Sequence, residues 1–190
     1  MLLTDKKIVL GSQSPRRSML LSQIIEDYEI RIIETDESYP DDLAIPKVAA
    51  HISEAKAAAH MPSVTNEIII TADTIVAYKN KIYGKPKDEQ DAVDIILMLA
   101  NEVHTVYTAV TILQNNEGDT FTTKTDVKFA PISKEEASYY VQKDKPMDKA
   151  GSYGIQDWIG MAKVEWIAGS YTNILGLPVA QLYERLSKLG

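Results

Sequence analysis

Two adjacent arginines, Arg16 and Arg17, fall in the first turn of a predicted helix, directly after Ser14 and Pro15. Ser14 is a favourable N-cap, and Pro15 suits the first helical position because its missing N–H costs nothing there. The helix dipole disfavours each arginine there by about 0.3–1 kcal/mol, and a bound anion would remove that conflict. Together with free backbone N–H groups and the hydroxyl of Ser12, these residues predict a receptor for a phosphate. The alternative is a surface helix with two solvated arginines.

A carboxylate, Asp73, follows the run 67–72, whose β-branched residues are typical of a strand buried on both faces. A carboxylate in such a place must be hydrogen-bonded, paired or bound to a metal, and strand ends line ligand crevices in α/β proteins. A predicted hairpin brings Lys85 back near Asp73. There it would be a further cation, opposite Arg16 and Arg17, and this arrangement would suit a bound triphosphate. The alternative is a turn in which Asp73 accepts a hydrogen bond from the N–H of Ile75.

The composition is that of an ordinary globular protein, with 190 residues, 45% hydrophobic and 25% charged. We expect one domain over residues 1–190. No segment approaches the roughly 18 consecutive apolar residues of a membrane helix, and residues 1–7 do not read as a secretion signal. We therefore expect a cytoplasmic protein without a membrane partner.

Charge and residue counts narrow the ligand class. The net charge of −7 argues against a nucleic-acid partner, but it is compatible with a small anion in a local basic pocket. The chain has no cysteine and only three scattered histidines, which argues against disulfides, thiolate sites and a histidine-rich zinc site. Any metal would be held by carboxylates, which favours Mg²⁺ or Mn²⁺.

Hydrophobic periodicity predicts a mixed α/β architecture. Helices are expected from Pro15 onward and at 44–60, 88–99, 133–142 and 179–189, the fourth opened by a capping box of Ser133 and Glu136. Strands are expected at 7–10, 28–33, 67–72, 75–78, 82–83, 104–113 and 120–129. The turn at 115–119 makes the last two strands a β-hairpin arm. Residues 61–66 are expected to form a loop, and 149–178 are glycine-rich.

Several short motifs, in order along almost the whole chain, resemble those of the Maf nucleotide pyrophosphatases. They are Ser12-x-Ser14-Pro15-Arg16-Arg17, Asp36-Glu37, Lys56-Ala57, Ala72-Asp73-Thr74, Gly84-Lys85-Pro86, His104-Thr105-Val106-Tyr107-Thr108, Lys149-Ala150-Gly151-x-Tyr153-Gly154-Ile155-Gln156, Gly169-Ser170-Tyr171 and Gly176-Leu177-Pro178.

The resemblance implies the fold of the inosine triphosphate pyrophosphatases: a mixed twisted sheet with flanking helices and a β-hairpin arm around a central cleft. It also implies hydrolysis of a nucleoside triphosphate to the monophosphate and pyrophosphate with a divalent cation, Mg²⁺ or Mn²⁺. The expected role is cytoplasmic house-cleaning of the nucleotide pool, and a homodimer is a further family expectation.

Site residues carry over by position. Asp73 matches the family's proposed proton acceptor, and together with Glu37 it is the expected metal site. The positions tied to substrate choice are Arg16, Thr74 and Gln156. The other pocket positions are Ser12, Arg17, Lys56 and Lys85, of which the two lysines are expected to take part in catalysis.

The segment Tyr153-Gly154-Ile155-Gln156 is similar to the branch that acts on dTTP and UTP rather than to the 7-methyl-GTP branch. The chain departs from the family pattern at Asp157-Trp158, at Tyr83 and at 100–102, and the first departure could reshape the base pocket. The alternatives are a 7-methyl-GTP or modified-pyrimidine triphosphate pyrophosphatase, and a non-catalytic nucleotide-binding regulator of cell division.

Overall fold

The computed structural model describes residues 6–61 and 66–189. Residues 62–65 of the loop expected at 61–66, the N-terminal residues 1–5 and Gly190 lie outside the described residues. The strands are β1 Lys7–Leu10, β2 Glu29–Ile30, β3 Glu67–Tyr78, β4 Lys81–Tyr83, β5 Val103–Gln114, β6 Glu117–Phe129 and β7 Val164–Ala168. The helices are α1 Pro15–Leu21, α2 Ile45–His60, α3 Glu89–Leu99, α4 Lys134–Asp144, α5 Trp158–Lys163, α6 Tyr171–Ile174 and α7 Val179–Leu186.

The described strands form one mixed sheet in the order β2-β1-β3-β5-β6-β7, with β4 also paired to β3. β1 is parallel to β2 and β3, whereas β3–β4 and β6–β7 are antiparallel. β1 and the first part of β3 are almost continuously apolar and buried, as expected for strands covered on both faces. The expected mixed α/β fold is confirmed.

The strand through Asp73 is longer than predicted. The runs 67–72 and 75–78 are one continuous strand, β3, so Asp73 lies inside a strand and not at its end. Residues beyond the carboxylate stay in the sheet because their apolar side chains are buried and they pair with β4, with Val76 opposite Tyr83. The charge of Asp73 thus does not end the strand, and the strand end predicted before it is wrong.

The strand predicted at 28–33 is also corrected, because β2 contains only Glu29–Ile30. Its alternating isoleucines do not cover a core: Ile30 and Ile32 are 51% and 42% exposed. Arg31 instead forms a two-pronged ion pair with Glu67, at 2.8 and 2.9 Å. Charge pairing, rather than burial of one face, therefore sets the conformation here.

The predicted hairpin is confirmed, with a tighter turn than expected. Asn115 and Asn116 form a two-residue connection with φ of 52° and 66°, as the turns that suit twisted hairpins require. Both strands lie inside the sheet order, so the hairpin is part of the sheet.

The glycine-rich segment 149–178 holds several short elements that its sequence did not reveal. They are a 3₁₀ turn at Ala150–Ser152 and then α5, β7 and α6. None is longer than six residues, which is too short for periodicity to reveal. The capping box of α4 is confirmed, while α7 ends at Leu186, three residues before its predicted end.

The chain folds as two compact units. The first unit comprises Met1–Asp73, Thr108–Thr123 and Gly176–Gly190, and the second comprises Thr74–Tyr107 and Lys124–Leu175. The first contains a buried cluster of Val9, Ala57, Ile69 and Leu113. That residues 1–190 act as one domain stays a prediction. Within the described part of the chain, none of the helices has the length and apolar character needed to cross a membrane.

The second unit contains a buried aromatic cluster. His104, Phe129 and Tyr153 pack with ring centroids 4.9–5.2 Å apart, and His104 Nε2 lies 2.8 Å from the Tyr153 hydroxyl. Burial lowers the pKa of His104 to about 4, below its ordinary value of 6.5. The folded protein therefore keeps this imidazole neutral at pH values where an unfolded chain would protonate it.

This difference predicts a stability that depends on pH. The contribution of His104 is complete above pH 6.5 and is lost as the pH falls, reaching a loss of about 3 kcal/mol near pH 4. Urea unfolding should be measured at pH 7.5 and at pH 4.5. The free energy of unfolding should differ less between the two pH values for His104→Gln than for the unmodified chain. His51→Gln, at an exposed position, is the control and should retain the full difference. An unchanged difference in His104→Gln would contradict this explanation.

Candidate active site

Helix α2 and strand β3 are locked together by hydroxyl contacts beside Asp73. The Ser53 hydroxyl donates to the Thr71 carbonyl at 3.3 Å, and the Thr71 hydroxyl donates to the Ser53 carbonyl at 2.8 Å. Lys56 lies one turn beyond Ser53 on the same face of the helix, and Asp73 lies two residues beyond Thr71 on the same face of the strand. This register brings the lysine and the carboxylate together.

The Lys56 ammonium bridges two carboxylates. Its Nζ lies 2.8 Å from Asp73 Oδ1 and 2.9 Å from Glu37 Oε1. The side chains of Lys56 and Asp73 are only 15% and 13% exposed, whereas that of Glu37 is 54% exposed. A charge as buried as that of Asp73 requires a partner of this kind.

Arg17 is fixed rather than solvated, so the alternative of two surface arginines is wrong for this residue. Its Nε donates to the Gly176 carbonyl at 2.8 Å, and its Nη1 donates to Ser12 Oγ at 3.1 Å. Burial lowers the pKa of Arg17, and Arg16 acts in the same direction, while Asp73 and Glu37 oppose the shift. An arginine keeps its proton through such a shift, so its positive charge interacts electrostatically with the two carboxylates.

The turn before α1 holds Arg17 in place. Ser14 caps the helix as predicted, accepting a hydrogen bond from the Arg17 N–H at 3.4 Å, and its own N–H donates to Ser12 Oγ at 3.3 Å. A Cβ at Gly11 would lie 2.8 Å from His60 Nε2 and 2.9 Å from the Thr71 methyl group. Glycine is therefore required where β1 leads into this turn.

The predicted site residues divide between the two units. The first unit brings together Ser12, Arg17, Glu37, Lys56 and Asp73, and it also contains the half-buried Arg16. The contribution of the Gly176 carbonyl was missed, because nothing in the sequence links a glycine to an arginine 159 residues away. The second unit contains Thr74, Lys85 and Gln156.

Each of those three residues has its own setting within the second unit. Thr74 lies half-buried in β3, and Lys85 is exposed in the connection between β4 and α3. The amide oxygen of Gln156 is buried and has no hydrogen-bond partner among the described residues. A buried polar atom of this kind is a rare feature and calls for a partner such as a ligand.

Asp157, which departs from the family pattern, has contacts within its own unit. Its Oδ2 accepts a hydrogen bond from the Tyr140 hydroxyl at 2.9 Å and lies 3.7 Å from Lys149 Nζ. Over residues 6–61 and 66–189, no group of three or more His, Cys, Asp or Glu side chains is arranged to hold a metal ion. Asp73 and Glu37 thus form a pair of carboxylates and not a complete protein cage.

Comparison with known proteins identifies the family of this chain. A family model described as Maf-like protein matches residues 7–189. A dTTP/UTP pyrophosphatase of Bacteroides fragilis (strain YCH46) is 44% identical over 96% of each chain, and one of Phocaeicola vulgatus is 45% identical over the same share. One of Flavobacterium johnsoniae is 41% identical over 96% of this chain and 95% of its own.

A solved structure, that of the Staphylococcus aureus Ham1 protein, is similar in fold. The two superpose with a TM-score of 0.52 at 15% identity, over 95% of this chain and 100% of the other. That similarity concerns the fold alone and confirms the α/β class expected from the sequence. The match of the family model over almost the whole chain, together with these relatives, shows that this protein belongs to the Maf family.

Proposed function

We propose that this chain hydrolyses dTTP and UTP to the nucleoside monophosphate and pyrophosphate. Relatives with 41–45% identity carry the name dTTP/UTP pyrophosphatase, which supports this substrate class. The observation that carries the proposal is the Lys56 ammonium bridging Asp73 and Glu37, in the field of Arg17. A fixed carboxylate among fixed cations is what hydrolysis of a phosphoric anhydride requires.

The chemistry assigns separate roles to the charges. Attack of water on the α-phosphorus needs a carboxylate that orients or deprotonates the water, and Asp73 has that role. It also needs preorganised cations where negative charge develops on the phosphate oxygens. Arg16, Arg17 and Lys56 supply these within the first unit. The contacts of Arg17 with Ser12 and Gly176 hold its guanidinium in place, so less reorganisation is needed as the reaction proceeds.

A divalent cation, which the family resemblance implies, fits the carboxylate pair. Asp73 and Glu37 contact the same ammonium, so both are within reach of one cation. Mg²⁺ is commonly held by one or two carboxylates completed by waters and substrate phosphates, so a full protein cage is not needed. When bound, the cation would neutralise charge on the phosphate oxygens. Mg²⁺ and Mn²⁺ are both proposed.

The base is proposed to be read by Gln156. Thymine and uracil present an imide N–H between two carbonyl groups, whereas cytosine presents an acceptor at that nitrogen. The buried amide oxygen of Gln156 has no partner in the described chain and would accept from the imide N–H, while the amide N–H₂ donates to a carbonyl. Thr74 is proposed to contribute to substrate choice, and Lys85 is proposed to be a further phosphate-binding and catalytic cation.

The proposed enzyme is cytoplasmic and acts on free nucleotides, without a nucleic-acid or membrane partner; the homodimer stays a prediction. Pyrophosphate release should be measured with dTTP, UTP, dCTP and 7-methyl-GTP in MgCl₂ and in MnCl₂. Turnover should be greatest with dTTP and UTP. Binding without turnover would indicate a nucleotide-binding regulator, and a preference for 7-methyl-GTP would indicate the other branch of the family.

Asp73→Asn should lower kcat by about 10²- to 10⁴-fold, because a general base contributes that much. The variant should still fold, since Lys56 keeps Glu37 as a partner. Steady-state pyrophosphate release and thermal unfolding test the two statements. Asp94→Asn, an exposed carboxylate on α3, is the control. If Asp73→Asn keeps more than about a tenth of kcat with unchanged metal dependence, Asp73 is not the base.

Arg17→Ala should lower kcat/KM by about 10²- to 10³-fold, the usual cost of removing one preorganised donor. It should also cost about 1–3 kcal/mol of stability, because the Gly176 carbonyl loses a buried donor. Arg17→Lys separates charge from geometry, since lysine keeps the charge but not the planar fork. Normal kinetics together with lost stability would reduce Arg17 to a structural role.

Gln156→Ala should narrow the ratio of kcat/KM for dTTP over dCTP by about 5- to 150-fold, the cost of one unpaired buried polar group. Cleavage itself should continue, because the amide is not proposed to touch the reacting atoms. Gln142→Ala, an exposed glutamine on α4, should leave the ratio unchanged. Equal rates on dTTP and dCTP in the unmodified enzyme would refute recognition of the imide edge.

A further inference from the structure

The side chain that is proposed to read the base sits on a loop of four residues between the buried Tyr153 and the helix α5. The amide oxygen of Gln156 makes no hydrogen bond within the described chain, so no hydrogen bond to this oxygen fixes the orientation of the amide. A side chain that distinguishes bases by hydrogen bonding needs a defined position, because thymine and cytosine differ in whether the ring nitrogen donates or accepts. The neighbouring residues must supply that order.

One buried hydroxyl ties the two sides of this loop together. Tyr140, on α4, is fully buried, and its hydroxyl accepts a hydrogen bond from the Gly154 N–H at 3.0 Å. The same hydroxyl donates to Asp157 Oδ2 at 2.9 Å. These partners stand two residues before and one residue after Gln156. Burial and the charge of Asp157 raise the pKa of Tyr140, so the hydroxyl keeps the proton that it donates.

Close packing of the backbone restricts the loop further. A Cβ at Gly154 would lie 2.3 Å from Asp157 Oδ2, so the glycine permits the carboxylate to fold back over the loop. A Cβ at Gly160 would lie 2.0 Å from the Ile155 carbonyl oxygen, so α5 packs directly on the backbone before Gln156. Lys149 Nζ, 3.7 Å from Asp157 Oδ2, adds charge to the same point.

We propose that Tyr140, acting through Asp157 and Gly154, is a positioning residue that sets the Gln156 amide for recognition of the thymine or uracil edge. The inference rests on the proposed function. Asp157 is then an acceptor used by the protein itself, rather than a group that contacts the base. Its place at the N-cap of α5 does not compete with this role, because within the described residues its side chain makes no capping hydrogen bond.

The test compares substrates with and without a base. For Tyr140→Phe, the ratio of kcat/KM for dTTP over dCTP should fall by about 5- to 20-fold, because the amide loses its fixed position. Hydrolysis of ribose 5-triphosphate, which has no base to read, should stay within about 2-fold of the unmodified enzyme. Tyr139→Phe, the adjacent and half-exposed tyrosine, is the matched control and should change neither quantity.

A double-mutant cycle distinguishes positioning from a general structural role. In the Gln156→Ala background, Tyr140→Phe should leave the dTTP/dCTP ratio where Gln156→Ala alone puts it. Full additivity of the two changes, or an equal fall in dTTP and ribose 5-triphosphate hydrolysis, would overturn the inference. If Tyr140→Phe does not fold, Asp157→Ala removes the acceptor and must give the same loss of selectivity.

The outcomes also separate this inference from the function on which it rests. An unmodified chain without turnover of dTTP would defeat the proposed function. If the unmodified enzyme is active and selective and the Tyr140→Phe variant is equally selective, only the proposed role of Tyr140 is refuted.

Discussion

The ion pair between Lys56 and Asp73 is the interaction on which the candidate site depends. A carboxylate inside a buried strand is costly unless it is hydrogen-bonded, paired or metal-bound, and Lys56 Nζ lies 2.8 Å from Asp73 Oδ1. The same ammonium also forms an ion pair with Glu37, which lies in the long connection between β2 and α2. One lysine thus compensates a buried charge and holds two carboxylates close together.

The Lys56–Asp73 pair is held in register by hydrogen bonds between uncharged groups. The reciprocal hydrogen bonds of Ser53 and Thr71 fix α2 against β3, so the lysine side chain has a defined origin. In the same unit, the guanidinium of Arg17 is held by Ser12 and by the carbonyl of Gly176. The charges are therefore placed before a substrate arrives, which is the condition under which they stabilise a transition state most effectively.

Local signals in the sequence predicted local structure well. The Ser14–Pro15 helix start, the α4 capping box and the two-stranded hairpin follow from short-range hydrogen bonding and turn chemistry. Signals failed where distant residues decide. Asp73 was predicted at a strand end because it follows an apolar run, and nothing nearby in the sequence shows that Lys56, 17 residues earlier, is its counter-ion. The Tyr140–Asp157 contact joins a helix to a glycine-rich segment that has no visible hydrophobic period. The arginines, Asp73 and Lys85 were singled out from residue chemistry, whereas Glu37, Lys56, Thr74 and Gln156 were assigned to the site by the family resemblance. The geometry of the site required the fold.

Hydrolysis of dTTP in ¹⁸O-labelled water tests the central claim, that the charged residues Arg17, Glu37, Lys56 and Asp73 direct water at the α-phosphorus of a nucleoside triphosphate. Mass spectrometry of both products would locate the new oxygen. We expect one ¹⁸O atom in dTMP and an unlabelled pyrophosphate. Label in the pyrophosphate, or release of inorganic phosphate in place of pyrophosphate, would contradict the claim.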